Sequence, residues 1–365
     1  MQIRVVSSLD GLVGLKSAWG NLLKGRDYTI FSTWEWLSTW WKHCGNDKKL
    51  LLLLAEDNGV VAGIAPLMYS VHRSLGLSSG KIEFVGAPDS DYSDFIVPEK
   101  REECLSLFFE YLNLLPEKWN SVDLADIPQN AKCLPFLTRI SKNLRLINDC
   151  PYLPLPGSYD AFLKMLSLKK RKYVKNGMKR LEQNFDVEIV DCSQPQHFSE
   201  GMEILFELHQ KKWASAGCSG AFSDPKIRNF HLDIAESFSK EKWLSLLVLR
   251  LSGKPVAAEY GFKYNSRYYA YLAGYDPDYS KFSVGNMLFI YIINSLIQQR
   301  IVQYDFLRGS EQYKSYWNAI SRWNYQALLS RKGAFGGFQY WLYKNWGNGS
   351  RVKDVKSLMH FLTLR

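Results

Sequence analysis

The chain has 365 residues, 46% of them apolar, a length and composition ample for two cores and therefore for two domains. Its net charge of +10 is unevenly placed: up to Cys150 there are 16 Lys and Arg against 18 Asp and Glu, so the whole excess, and with it the expected anion-binding surface, belongs to the C-terminal half. The six cysteines (Cys44, Cys104, Cys133, Cys150, Cys192, Cys218) form no CxxC pair, which argues against a zinc site or a disulfide framework, and the longest apolar run, Met287 to Ile297, is too short to span a bilayer.

In chain order, the first clear element is Phe31 to His43, where Trp34, Leu37, Trp40 and Trp41 share one helical face behind a Ser32/Thr33 cap with Glu35 nearby. At that spacing the tryptophans read as core packing. Leu50 to Ser70 is a strand, a tight turn on Gly59 and a second strand. Asp91-Tyr92-Ser93-Asp94-Phe95 follows, then a helix opened by Val97-Pro98-Glu99, then a strand carrying Val122-Asp123-Leu124. The proline cluster Cys150 to Ser158 marks a domain junction. After it, Tyr159 to Asn184 reads as one long helix carrying Lys169, Lys170, Arg171, Lys172, Lys175, Lys179 and Arg180. A strand (Val187 to Val190) and two helices (Phe198 to Ala216, Asp224 to Lys240) lead to a second hairpin, Leu244 to Tyr264, turning on Gly253. Asp278-Tyr279-Ser280-Lys281-Phe282, a helix and Tyr304-Asp305-Phe306 complete the series.

The second series repeats the first: 253 answers 59, 278 answers 91 and 305 answers 123 at nearly constant offset, the mark of an internal duplication. The copies differ where a ligand would sit. The second helix opens Ser283-Val284-Gly285-Asn286, whose amide groups and positive dipole end suit a phosphate. The first opens on Pro98 and Glu99, a helix end already capped and repulsive to an anion. Arg308-Gly309 likewise stands where the first copy has Asp126-Ile127. The expected division is an N-terminal domain over 1–150 without ligand features, a C-terminal domain over 158–345 and a tail helix over 346–365.

Gly274-Tyr275-Asp276-Pro277-Asp278-Tyr279, then Ser283 to Leu288, then Asp305-Phe306-Leu307-Arg308-Gly309-Ser310-Glu311-Gln312-Tyr313-Lys314 and Trp317, resemble the GNAT-like acetyltransferases of polysaccharide biosynthesis, the CelD/BcsL group. The resemblance runs from Leu163 to about Ser330, with Trp34 to Asp94 similar to that group's N-terminal half. It implies an α/β fold of tandem duplicated GNAT-like domains, each a mixed, mostly antiparallel sheet flanked by helices. It implies transfer of an acyl group from acyl-CoA, acetyl-CoA first among them, to the nitrogen or oxygen of an amino sugar, a sugar nucleotide or a surface-polysaccharide precursor, without a metal. The Q/R-x-x-G-x-G/A pyrophosphate loop of many GNAT enzymes is absent, Tyr279 to Gly285 standing in its place, which leaves the donor open.

Under that resemblance, Lys281 and the backbone of Ser283, Val284, Gly285 and Asn286 would hold the donor, against the alternative of a plain helix cap with Gly285 for close packing. Tyr313 would serve as general acid or pack in the core, and Asp305 and Glu259 are the candidate bases. Asp305 could equally be structural, paired with Arg308 or Lys314. Arg308, Glu311 and Lys314 could hold an anionic acceptor or form a solvated loop. The basic run from Lys169 to Arg180 is either a solvated face or a grip on a polyanion such as an anionic membrane surface. The expected location is the cytoplasm, with contact to the inner face of the membrane kept open. Two other functions compete: a Fem-type peptidyltransferase fed by aminoacyl-tRNA, and a non-catalytic nucleic-acid-binding protein.

Overall fold

The structure is a computed structural model and describes residues 1–330 apart from 75–76, 116–118, 216 and 218. The first copy supplies β1 (Gln2–Val6), α1 (Leu9–Val13), α2 (Lys16–Leu23), α3 (Trp34–Cys44), β2 (Lys49–Asp57), β3 (Val60–Ser74), β4 (Leu77–Phe84), α4 (Arg101–Leu114), β5 (Ser121–Pro128), α5 (Leu134–Ile140) and β6 (Leu144–Asp149). Within the proline cluster lies β7 (Tyr152–Pro154), and after it come α6 (Tyr159–Met165), α7 (Leu168–Asn184), β8 (Val187–Asp191), α8 (Phe198–Ser215) and α9 (Pro225–Lys240). The second copy continues with β9 (Leu244–Leu251), β10 (Lys254–Tyr264), β11 (Arg267–Tyr275), α10 (Val284–Gln298), β12 (Gln303–Asp305), α11 (Gln312–Tyr316) and β13 (Trp323–Ser330).

Two sheets result, in the orders β1-β2-β3-β4-β5-β13-β6 and β7-β12-β11-β10-β9-β8. In both, antiparallel neighbours give way to one parallel pair, β4 beside β5 and β11 beside β12. Equivalent residues occupy equivalent registers: Glu83 faces Asp123 in one sheet, and Tyr269 faces Asp305 in the other. The expected fold class, two mostly antiparallel mixed sheets flanked by helices, is what the chain adopts.

One feature departs from a simple tandem. β13 follows α11 in sequence, yet it lies between β5 and β6 in the first sheet. Conversely β7, which follows β6, pairs with β12 in the second. The sheets thus exchange strands about the junction, and the expected domain over 158–345 contributes β13 to the first sheet. The tail helix expected over 346–365 lies outside the described residues.

Three cores separate the layers. One fills the outer face of the first sheet under α4 and α5, with Phe84, Phe95 and Phe108 packed ring on ring. A second fills the outer face of the other sheet under α7 and α10, around Met287, Ile290 and Ile293. The third lies between the copies and draws on both, with α3 packed on α9. Its centre is Trp36, fully buried against Phe230, Phe238, Phe262 and Tyr271, its indole N–H donating to Ser90 Oγ at 2.8 Å. The tryptophan helix is therefore core, as its spacing predicts, but the residue at the interface is Trp36 rather than the half-exposed Trp34 or Trp41. A shared apolar core of this kind locks the two copies together.

Two local differences have plain causes. The run from Tyr159 to Asn184 is two helices, because Ser167 takes an extended backbone and caps α7 by accepting from the Lys170 N–H. Glu99 lies before α4 rather than in it. The helix opens at Arg101 behind Lys100 in the left-handed conformation, and Glu99 pairs with Arg26 at 2.9 Å on the surface.

Candidate active site

The amino end of α10 falls where the sequence predicts a helix start. Ser283 sits at the N-cap in the left-handed conformation (φ 54°), so its side chain makes no capping bond and leaves the first-turn amides without that acceptor. A side chain at Gly285 would meet no atom within 4 Å, which removes close packing as the reason for glycine. Val284 is buried and anchors the turn to the core, whereas Asn286 donates to the Tyr173 hydroxyl of α7 at 2.9 Å. Arg180, also on α7, donates to the Lys281 carbonyl at 3.2 Å and lies over the Phe282 ring beside the Lys281 ammonium. Two cations thus flank an open helix end, an arrangement that attracts an anion.

The seven basic side chains of α7 enter no ion pair among the described residues. Lys170 instead lies over the Tyr316 ring and donates to Asn318 Oδ1 at 2.8 Å. Lys169, Lys172, Lys175, Lys179 and Arg180 are exposed, and Arg180 reaches the turn before α10.

Glu259 faces this outer side from β10. It is 7% exposed, and its Oε1 accepts from the Tyr268 hydroxyl at 2.9 Å and from the Tyr304 hydroxyl at 2.7 Å. Burial pushes its carboxyl up to about 7, with the two tyrosine donors holding it from rising further. That is the range in which a general base works at neutral pH. Tyr313, in the first turn of α11, is 53% exposed, lies edge-on to Phe306 and is close enough to feel the charge of Glu259. The α10 end, Glu259 and Tyr313 therefore share one face of the second sheet.

Asp305 does not join them. Strand neighbours alternate faces, so with Tyr304 pointing outward Asp305 points inward, to the boundary between the copies. It is fully buried, accepts from the Tyr92 hydroxyl at 2.9 Å and the Leu307 N–H at 2.9 Å, and is paired with Arg322. Burial raises its carboxyl above the ordinary range, opposed first by Arg322. It is half of a structural pair, though its partner is neither Arg308 nor Lys314.

The expected acceptor contacts are corrected similarly. Arg308 Nε donates to Asp91 Oδ1 at 2.7 Å, Nη1 to Asp126 Oδ2 at 2.7 Å and Nη2 to the Pro88 carbonyl at 2.6 Å, so its fork is spent binding the two copies together. Lys314 has its side chain 3% exposed, with the ammonium donating to the carbonyl of Arg308 at 2.8 Å and to Glu311 at 2.8 Å. It fastens the turn before α11. Of the three, only Glu311 keeps an exposed side chain. Arg322 and Tyr92 carried no signal beyond the repeated Asp-Tyr-Ser motif, because their roles exist only once β13 has crossed over. Among the described residues no cluster of His, Cys, Asp and Glu could hold a metal ion, and no helix is long and apolar enough to cross a membrane.

No curated protein matches the sequence. Among solved structures, FemX aligns over 94% of this chain and 99% of its own, with a TM-score of 0.64 at 12% identity. The C-terminal domain of a putative lysylphosphatidylglycerol synthetase from Agrobacterium fabrum aligns over 90% and 95% (TM-score 0.56, 13% identity), and L-PGS from Bacillus licheniformis over 91% and 97% (0.53, 11%). At such identities the likeness is one of fold. Residues 169–315, which include α10, Glu259 and Tyr313, match the family model described as an acetyltransferase (GNAT) domain.

Proposed function

We propose that the protein is an acyl-CoA-dependent N- or O-acyltransferase, with acetyl-CoA the expected donor and an amino sugar, a sugar nucleotide or a surface-polysaccharide precursor the acceptor. The observation that carries the reading is the open amino end of α10, with space at Gly285 and Lys281 and Arg180 beside it, inside the stretch that matches the acetyltransferase family. The donor's pyrophosphate would sit on these amides. In the reaction, the acceptor's amine or hydroxyl attacks the thioester carbonyl and loses a proton to the base. The tetrahedral intermediate then collapses by breaking the C–S bond, and the thiolate takes a proton. Glu259 is the better-placed base and Tyr313 the candidate acid, both lying on the donor's face of the sheet. The place of work proposed is the cytoplasm, at the inner face of a membrane.

Gly285→Glu separates binding from folding. A carboxylate in the first turn of a helix favours the helix dipole and here meets no neighbour, so the fold is kept while an anionic donor is repelled. Acetyl-CoA should raise the melting temperature of the wild type and not of this variant, whereas Glu103→Gln in the first turn of α4 should leave the shift unchanged. No shift in the wild type with acetyl-CoA, longer acyl-CoAs or free CoA would overturn the reading. The unpaired cations of α7 favour one second reading, a Fem-type transfer from aminoacyl-tRNA, for which tRNA would stabilise the protein and CoA would not.

A further inference from the structure

The inner face of the second sheet borders a cavity of about 220 Å³ that the donor site does not use. Most of its wall comes from the first copy: the segment from Arg26 to Ser32, the Asp-Tyr-Ser motif through Arg101, and the turn from Pro128 to Cys133. The second copy closes it with Arg267, Tyr269, Asp305 and Arg322. The N-terminal half, expected to lack ligand features, therefore supplies the greater part of this wall. Its size suits a small ligand such as a single sugar ring.

The wall is not electrically or chemically closed. Five cations line it, namely Arg26, Arg101, Lys132, Arg267 and Arg322, against the carboxylates of Asp27, Asp94 and Asp305. Three of the cations are matched: Arg26 by Glu99, Arg267 by Asp27 at 2.7 Å, and Arg322 by Asp305. Arg101 and Lys132 enter no ion pair among the described residues; Arg101 makes a 3.4 Å contact with the Pro98 carbonyl and its charge reaches the Asp94 carboxylate without a direct pair. Both also line a shallower groove of about 540 Å³, so the unmatched charge stands where the cavity opens.

Deeper in, two residues of the wall carry a polar atom without a hydrogen-bond partner: Thr29 at Oγ1 and Arg322 at Nε. Tyr269 is 1% exposed, and its hydroxyl accepts from Arg267 while donating to no acceptor among the described residues. Buried polar atoms are nearly always satisfied, so two orphans on one cavity wall offer hydrogen-bonding capacity to a ligand. Asp94 adds a carboxylate without an ion pair, accepting only from the Phe95 N–H at 2.8 Å and from Cys133.

We infer that this cavity binds a phosphorylated, hydroxyl-bearing small molecule, its phosphate on Arg101 and Lys132 and its hydroxyl or amino groups against Thr29, Tyr269 and Asp94. A phosphomonoester and the diphosphate of a sugar nucleotide share this chemistry, and the groove beyond Lys132 would take the remainder of the larger one. That the occupant is the acyl acceptor rests on the acyltransferase reading; that the site binds a phosphorylated sugar does not.

Calorimetry on the full chain tests this with glucosamine 6-phosphate, UDP-N-acetylglucosamine, inorganic phosphate and unphosphorylated glucosamine as probes. At least one phosphorylated sugar should bind saturably and more tightly than glucosamine, and Arg101→Met with Lys132→Met should weaken it by roughly a hundredfold, about tenfold per lost charged contact. Arg101→Lys should restore part of the affinity. Tyr269→Phe should weaken the sugars and not inorganic phosphate, a split that mere loss of packing would not produce. Acetyl-CoA binding should survive the double change, which separates failure here from failure of the donor site. Absence of saturable binding by every phosphorylated probe, or equal binding by wild type and the folded double variant, would overturn the inference.

Discussion

Replacing Glu259 by Gln keeps the shape of the side chain and an oxygen for the Tyr268 and Tyr304 hydroxyls, while removing the ability to ionise. Burial raises the folded-state pKa from 4.5 to about 7. At about 1.4 kcal/mol per unit, that difference is worth about 3 kcal/mol once both states are ionised. The sign follows from which state holds the proton more tightly. The folded state does, so the favourable contribution is fully present below the unfolded value near 4.5 and is lost as pH rises through 7. Between pH 5 and pH 8 the wild type should therefore lose about 2.5 kcal/mol that the Gln variant does not. Urea denaturation of both proteins at the two pH values measures this, and subtracting one from the other cancels every other titrating group. A gap between variant and wild type that stays constant from pH 5 to pH 8 would refute the buried, proton-holding carboxylate. If Glu259 is also the base, turnover should rise through pH 7 in the wild type, and that limb should vanish in the variant.

Arg308→Met leaves Asp91 and Asp126 facing each other without a counter-ion, and should cost about 3–5 kcal/mol by chemical denaturation, as breaking a buried pair does. Adding Asp126→Asn should recover part of the loss, and unchanged stability would return Arg308 to a binding role. Asp305→Asn should lower the melting temperature through the loss of its Arg322 pair without moving the pH–rate profile. Tyr313→Phe, at a half-exposed position, should spare stability and lower kcat by roughly ten- to a hundredfold. Replacing Lys169, Lys172, Lys175 and Lys179 together by Gln should flatten the salt dependence of binding to anionic vesicles, and an unchanged response would mark α7 as a solvated face.

The hairpins, the repeated Asp-Tyr-Ser motif and the tryptophan helix are set by signals a few residues long: alternation, a glycine turn, a cap. These survive in the sequence because their geometry is local, and so the duplication, the fold class and the amino end of α10 could all be read from it. The sequence also set the two helix ends apart, Gly285 against Pro98 and Glu99, although Glu99 falls before α4 and the acidic residues of its first turn are Glu102 and Glu103. What it could not determine is which distant partner a charged residue meets. Asp305 looked able to pair with Arg308 or Lys314, both within ten positions, yet its partner is Arg322, brought there because β13 crosses to the first sheet. Arg308 turns instead to Asp126, its counterpart in the other copy. Only the tertiary structure decided that Glu259 and Asp305 stand on opposite faces, one on the side covered by α10 and the other against a cavity between the copies. Strand pairing across 200 residues depends on how two whole sheets bury their shared core, and no local pattern encodes that.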